Sequence, residues 1–246
     1  KILMSDRISN ELEHGKKLLE GGAEAIWNWD SPAGKVRADR RADLIAQYSL
    51  ADKSSTVLEI GCGTGLFSGK FYQRTGAKII ATDISPELLN VAKEKYPEVE
   101  FVLADAMQIQ FDANTFDVVF GSSVLHHLEF ERSLNEIFRV LKPGGRMVFA
   151  EPNMLNPQIF IQKNIPFIKK WLGDSPDETA IVRWSFTKLL RQKGFTNVNI
   201  FPYDFLHPVV PGFLITTVNS IGKIVEKTPL LKEIAGSVII VAEKQR

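Results

Sequence analysis

Short apolar runs alternate with amphipathic stretches through the middle of this chain. Residues 57–60, 78–81, 99–103, 116–120 and 146–150 are dense in Val, Ile, Leu and Phe, the pattern of strands buried on both faces. Between the last two runs the period changes. Phe130, Leu134, Ile137, Phe138 and Leu141 repeat at helical spacing, and Lys142-Pro143-Gly144-Gly145 then ends the helix. Another helix is set to begin at Ser85, a good N-cap, with Pro86 at the first helical position. Strand–helix alternation over 55–151 argues for a parallel sheet with helices on both faces. Further out, the pattern predicts helices over 5–20, 32–50 and 185–193, the last ending at Gly194, and strands over 198–201 and 238–242.

Segments 154–184 and 204–236 stand outside this alternation. They follow the fifth and sixth strands, where ligand-side loops leave an open α/β sheet, and loops this long are usually functional. The expected organisation is a helical lid over 1–50 and an α/β core over 51–246 carrying both inserts. With 246 residues, 44% of them hydrophobic, the chain can bury one substantial core.

Charge narrows the partners. There are 30 basic and 29 acidic residues, and no basic run offers the broad electrostatic footprint that a nucleic acid needs. The single cysteine, Cys62, cannot form an internal disulfide and fits a reducing, cytoplasmic setting. The first 30 residues are too charged for a secretory signal, and no apolar run is long enough to span a bilayer. Nothing in the chain fixes an oligomeric state.

The chemistry concentrates after the first strand. In Val57-Leu58-Glu59-Ile60-Gly61-Cys62-Gly63-Thr64-Gly65 a strand runs into a turn whose glycines permit a sharp bend and let a ligand approach the backbone. Gly61, Cys62, Gly63 and Gly65 are thus candidate ligand-turn residues. Asp83 ends the second strand 22 positions after Gly61, close to the ~20 expected of a carboxylate that holds ribose hydroxyls. Its competing role is a turn cap, a job that Ser85 already fills. A dinucleotide fingerprint needs glycine where Leu66 stands, and Glu59 is badly placed for a pyrophosphate. Glu59 suits a cationic ligand with a free amino group.

S-adenosyl-L-methionine is such a ligand, and here the chain resembles the class I S-adenosylmethionine-dependent methyltransferases, most of all their small-molecule, type 11-like branch. The resemblance is specific over 55–151 and looser over 185–203 and 237–243. It implies a Rossmann-like α/β fold: a seven-stranded, mostly parallel sheet with helices on both faces, the terminal strand antiparallel beside the fifth. It also implies cofactor roles: Glu59 at the amino-acid end, Asp83 and Ile84 at the ribose, Asp105 and Ala106 at the adenine, and Ser122 near the sulfonium. A catalytically silent binding module is the alternative class of function, and a nicotinamide oxidoreductase fits Leu66 and Glu59 badly.

In-line methyl transfer needs placement more than covalent machinery, with a general base only for some acceptors. His126, His127 and Glu151 are the candidate bases, at the ends of the fourth and fifth strands. For His127 a loop-holding role competes, while His126 is expected to face solvent. Arg37, Arg40 and Arg41 share one helix face by their spacing. They either clamp an anionic group or form a solvated face salted by Asp39 and Asp43. Trp27 and Trp29 read as packing or lid residues. Residues 159–172 mix aromatics with lysines, 209–215 add a second apolar run, and Ile221, Ile224 and Val225 follow at helical spacing. Such inserts suit a small-molecule or lipid-linked acceptor, with transient membrane-surface contact. They equally suit a closed apolar lid over a polar metabolite.

Overall fold

A computed structural model describes residues 22–171 and 179–245. The expected helix over 5–20 lies outside the described residues, as do the side chains of Lys170 and Trp171. The chain opens with α1 (Ala23–Ile26) and α2 (Pro32–Ser49). The alternating core follows as β1 (Thr56–Ile60), α3 (Leu66–Thr75), β2 (Lys78–Asp83), α4 (Pro86–Lys95), β3 (Glu100–Leu103), β4 (Phe116–Ser122), α5 (Phe130–Val140) and β5 (Leu141–Pro152). The first insert carries α6 (Pro157–Asn164) and α7 (Pro166–Trp171). Then come α8 (Arg183–Gln192), β6 (Phe195–Tyr203), α9 (Ile215–Val225) in the second insert, and β7 (Ser237–Lys244).

Local chemistry sets the helix starts. Ser31 accepts the Gly34 amide at 3.0 Å and Ser85 the Leu88 amide at 3.3 Å, each with proline in the first turn. Asn156 does the same for α6, taking the Gln158 and Ile159 amides. α3 ends at Gly76 and α2 at Leu50, both left-handed.

The strands form one seven-stranded sheet in the order β3-β2-β1-β4-β5-β7-β6. β7 alone runs antiparallel, between β5 and β6. This is the topology that the resemblance implied. Because side chains alternate across a strand, Val57 enters one core layer and Leu58 and Ile60 the other. The first layer packs α2, α3 and α4 on the sheet, with Ala38, Ala42 and Ile45 of α2 fully buried and Phe71 stacked on Phe120 at 4.4 Å. The second packs α5 and α8 through Leu134, Ile137, Phe186 and Leu190.

Three strands are longer than their apolar runs. β5 starts pairing at Leu141 and ends at Pro152, β6 spans Phe195–Tyr203, and β7 reaches Lys244. The backbone ladder continues through polar residues that carry no apolar signal. The lengthening of β5 matters for the site. β6 and β5 both run antiparallel to β7, so their C-terminal ends share one rim with those of β1, β2 and β4. Both inserts leave from that rim. The second closes on itself there, the Gly236 amide donating to the Asp204 carbonyl at 2.8 Å.

Candidate functional site

The rim of β1, β2 and β4 surrounds a cavity of about 300 Å³. Its floor is the glycine turn. Gly61, Gly63 and Gly65 all have positive φ, a conformation that side chains oppose. At Gly61 a Cβ would also lie 2.3 Å from Val124 Cγ2, and at Gly65 it would press on Tyr96, Phe101 and Ala92. Gly65 therefore serves helix packing behind the cavity rather than its wall. The Cys62 amide donates to the Thr82 carbonyl at 2.9 Å, and the Gly63 amide to Asp83 Oδ2 at 2.8 Å. Asp83 Oδ1 accepts the Ser85 amide at 2.9 Å. Asp83 thus braces two turns while lining the cavity.

Gly61, Cys62, Gly63, Asp83, Ile84, Asp105, Ala106, Ser122 and His127 all line this one cavity. Trp27, Trp29, Phe67, Leu88, Val124 and Leu128 complete its apolar surface. Trp27 sits over the turn, 2.9 Å from where a Cβ on Gly63 would be, and Trp29 packs edge-on against Phe67. The only sequence signal for these walls was the unusual density of tryptophan before α2. Burial raises the Cys62 thiol well above its ordinary value, and the charges of Asp83 and Glu59 add to this. It is a turn residue, not a nucleophile.

Glu59 lies behind the wall rather than on it. It shares the face of Val57, is 1% exposed, and accepts a hydrogen bond from the Ser68 hydroxyl of α3. Burial pushes its carboxyl up to about 8; the Ser68 bond opposes this and the Asp83 charge reinforces it.

Two expectations are corrected at the ends of β4 and β5. Because β5 continues to Pro152, Glu151 is a paired strand residue opposite Val238 and is wholly buried, not a rim carboxylate facing an acceptor. It accepts the Val124 and Leu125 amides at 3.0 and 2.9 Å, and its other oxygen meets His126 Nδ1 at 2.7 Å. His126, expected in solvent, is buried. Desolvation and the neighbouring His127 hold the His126 imidazole below its ordinary value despite Glu151, so it is a neutral ring donating to a carboxylate. Burial works to raise Glu151, but the His126 contact and the two amides outweigh it and its carboxyl is lowered. The pair fixes the turn Ser122–His127 and presents His127 to the cavity. Ser123 within that turn is left-handed, φ 57°, a strained geometry for a residue with a Cβ.

The three arginines of α2 diverge. Arg37 pairs with Asp204 at 2.7 Å, and Arg40 chelates Glu226. Asp39 and Asp43 instead pair with Lys70 and Arg74 of α3. Arg41 is 3% exposed and donates only to neutral hydroxyls: Ser122 at 3.1 Å, Ser123 at 2.7 Å, Tyr203 at 3.0 Å and Ser237 at 3.0 Å. Its guanidinium also lies 4.9 Å from the Trp29 ring. Its burial was legible in principle, since Gly34, Ala38, Ala42, Ile45 and Ser49 mark the buried face on which it falls.

No lysine or arginine lines the cavity among the described residues, so it offers a pyrophosphate no cationic side chain. Two carboxylates, backbone turns and aromatic walls fit a cationic, phosphate-free nucleoside.

The comparisons agree with that chemistry. A family model described as a methyltransferase domain matches residues 58–149. A demethylmenaquinone methyltransferase of Chlorobaculum tepidum is 30% identical over 220 residues, covering 82% of this chain and 86% of the relative. The chain belongs to the class I S-adenosylmethionine-dependent methyltransferases. An uncharacterised methyltransferase-like protein of Schizosaccharomyces pombe is 29% identical over 178 residues, 72% of this chain and 68% of its own length. Among solved structures, a Haemonchus contortus phosphoethanolamine N-methyltransferase 2 bound to phosphomonomethylethanolamine and S-adenosylhomocysteine superposes with a TM-score of 0.65. The two are 16% identical, and the match covers 91% of this chain and 56% of that one.

The methyltransferase therefore uses S-adenosylmethionine, which brings an electrophilic methyl group on a sulfonium. What the protein must add is placement and exclusion of water. The aromatic side chains over the glycine turn shield the cavity, and the Glu151–His126 pair braces the turn that follows β4.

Proposed function

We propose that this methyltransferase acts on a small apolar or amphipathic acceptor, of the lipid-linked class, admitted between the two inserts. Asp83, which lines the cavity at the end of β2, accepts the ribose hydroxyls, flanked by Ile84, and Asp105 and Ala106 receive the adenine edge. Glu59 answers the amino group from behind the glycine turn. Arg41 positions Ser122 and Ser123 at the sulfonium side. His127 is the ionisable side chain of the β4 turn that reaches the cavity, and it takes the proton when the acceptor atom carries one.

One observation carries the acceptor class. The two inserts, which leave the sheet at the rim that holds the cavity, carry large uncovered apolar side chains, Phe167 at 79% and Phe213 at 83% exposure among them. The Chlorobaculum tepidum relative, named for demethylmenaquinone, supports the same reading. The test is methyl transfer from labelled S-adenosylmethionine into a total lipid extract and into a polar metabolite extract. Label in the organic phase is expected. Label confined to water-soluble products overturns the proposal.

A further inference from the structure

We infer that the outer face of the two inserts docks on an anionic lipid bilayer, holding the mouth of the cofactor cavity against the membrane. The link to the acceptor rests on the apolar-acceptor reading above; the docking surface stands on its own observations.

The first is segregation. Apart from Ile26, Leu50 and Leu103, every large apolar side chain left exposed among the described residues belongs to the inserts. Monomer surfaces scatter such residues singly, so their concentration in two segments calls for a partner.

The second is the build of α9. Gly222 is buried against Phe205, with room for a Cβ only 3.1 Å away, which pins that side of the helix to the fold. Ile221 and Ile224 stand on other faces and are 56% and 67% exposed, continued by Phe213 and Leu214 before the helix. Lys223 and Lys227 are exposed beside them. An apolar stripe edged by lysine is the pattern of a helix lying in a bilayer interface.

The third is charge. The acidic residues of the second insert are each held by an arginine: Asp204 by Arg37, Glu226 by Arg40 and Glu233 by Arg183 at 2.7 Å. Their neutralisation leaves lysine to set the outward field of α9. The inserts are also joined. Asn153 donates to the Glu233 and Ala235 carbonyls at 2.8 Å, and Asn156 to the Ile234 carbonyl at 2.9 Å. The first insert carries four more exposed apolar side chains, Phe160, Ile161, Ile165 and Phe167.

A second copy of the chain is the competing occupant. A two-fold contact sets a patch against itself, which would bring Lys223 and Lys227 of both copies together. An anionic bilayer accepts both the apolar stripe and its lysines. No helix among the described residues is long and apolar enough to cross the membrane, so contact would be at the surface.

Co-sedimentation of the full chain with phosphatidylcholine vesicles, with and without about one-third phosphatidylglycerol, tests this at low and high salt. The variants are Phe213→Ser/Ile224→Ser and Lys223→Glu/Lys227→Glu, with S-adenosylhomocysteine calorimetry and sedimentation velocity on the same preparations. The parent should bind anionic vesicles roughly tenfold or more tightly than neutral ones, and each double variant should lose about tenfold with S-adenosylhomocysteine binding unchanged. Failure of the parent to bind anionic vesicles, or variants that bind as it does, overturns the inference. So does a parent dimer that the variants dissolve. Vesicle binding together with label found only in polar products would sink the acceptor reading and leave the docking surface standing.

Discussion

Replacing Glu59 with glutamine removes an ionisable group while keeping its shape and an acceptor for the Ser68 hydroxyl. Burial, opposed by Ser68 and reinforced by Asp83, lifts this carboxyl from an ordinary 4.5 to about 8. A carboxylate whose folded value is raised contributes fully below pH 4.5 and loses that contribution as pH rises to about 8. At roughly 1.4 kcal/mol per pH unit, the parent should lose about 3 kcal/mol by pH 7 and about 5 kcal/mol by pH 9. Glutamine has no such dependence. Thermal midpoints of the cofactor-free parent and Glu59→Gln, measured from pH 5 to 9, should therefore diverge, the variant gaining on the order of 10 °C at the alkaline end. The same substitution should weaken S-adenosylhomocysteine, whose ammonium would draw the buried carboxyl into its ionised form. Parallel pH curves would show that Glu59 is ionised throughout and that the burial argument is wrong.

Asp83→Ala should weaken S-adenosylhomocysteine by roughly 1.5–3 kcal/mol per strong bond lost, read by calorimetry, with Asp83→Asn between. Unchanged affinity with a lower melting point would reduce Asp83 to a brace for the Gly63 and Ser85 amides. At the β5 end, the His126 and Glu151 values are both lowered. Each shift makes stability rise with pH: Glu151 loses its contribution as pH falls below its ordinary 4.5, and His126 as pH falls below 6.5. Glu151→Gln should flatten the acid limb of the melting curve and lower the midpoint at pH 7; an unchanged acid limb would contradict the pair. His127→Asn should lower kcat for a protonated acceptor about 10²-fold or more while leaving S-adenosylhomocysteine affinity intact. An unchanged kcat would return His127 to holding its turn.

Much of this was legible along the chain because parallel strands buried on both faces write continuous apolar runs, and because a glycine turn with an acid at the next strand end has few uses. The features that escaped depend on neighbours that sequence does not display. Glu151 reads as a strand terminus if β5 stops where its apolar run stops, but pairing with Val238 carries it inside the sheet. That pairing also turns His126 inward, since the carboxylate needs a donor. Gly65 reads as part of the ligand turn, whereas Tyr96, Phe101 and Ala92 are what forbid a side chain there. The tryptophans lie more than a strand's length upstream of the turn they cover, so their role waited on the tertiary fold.

The arginines of α2 give the molecule a property that no single pair does. Arg41 holds Ser122 and Ser123 on the cofactor side, while Arg37 and Arg40, on the same helix, hold Asp204 and Glu226 at the root of the second insert. Glu226 also accepts the Asp204 amide at 2.8 Å, and Asp204 receives Gly236, so both ends of that insert meet one cluster. Ion pairs this enclosed are costly to half-break, because removing one partner leaves a buried charge without compensation. Displacement of the insert by an incoming acceptor must therefore either carry α2 with it or leave those charges stranded. The first course moves Arg41 relative to its serines. The wall of the cofactor cavity and the root of the second insert are in this way mechanically one unit, joined through a helix whose apolar residues belong to the core.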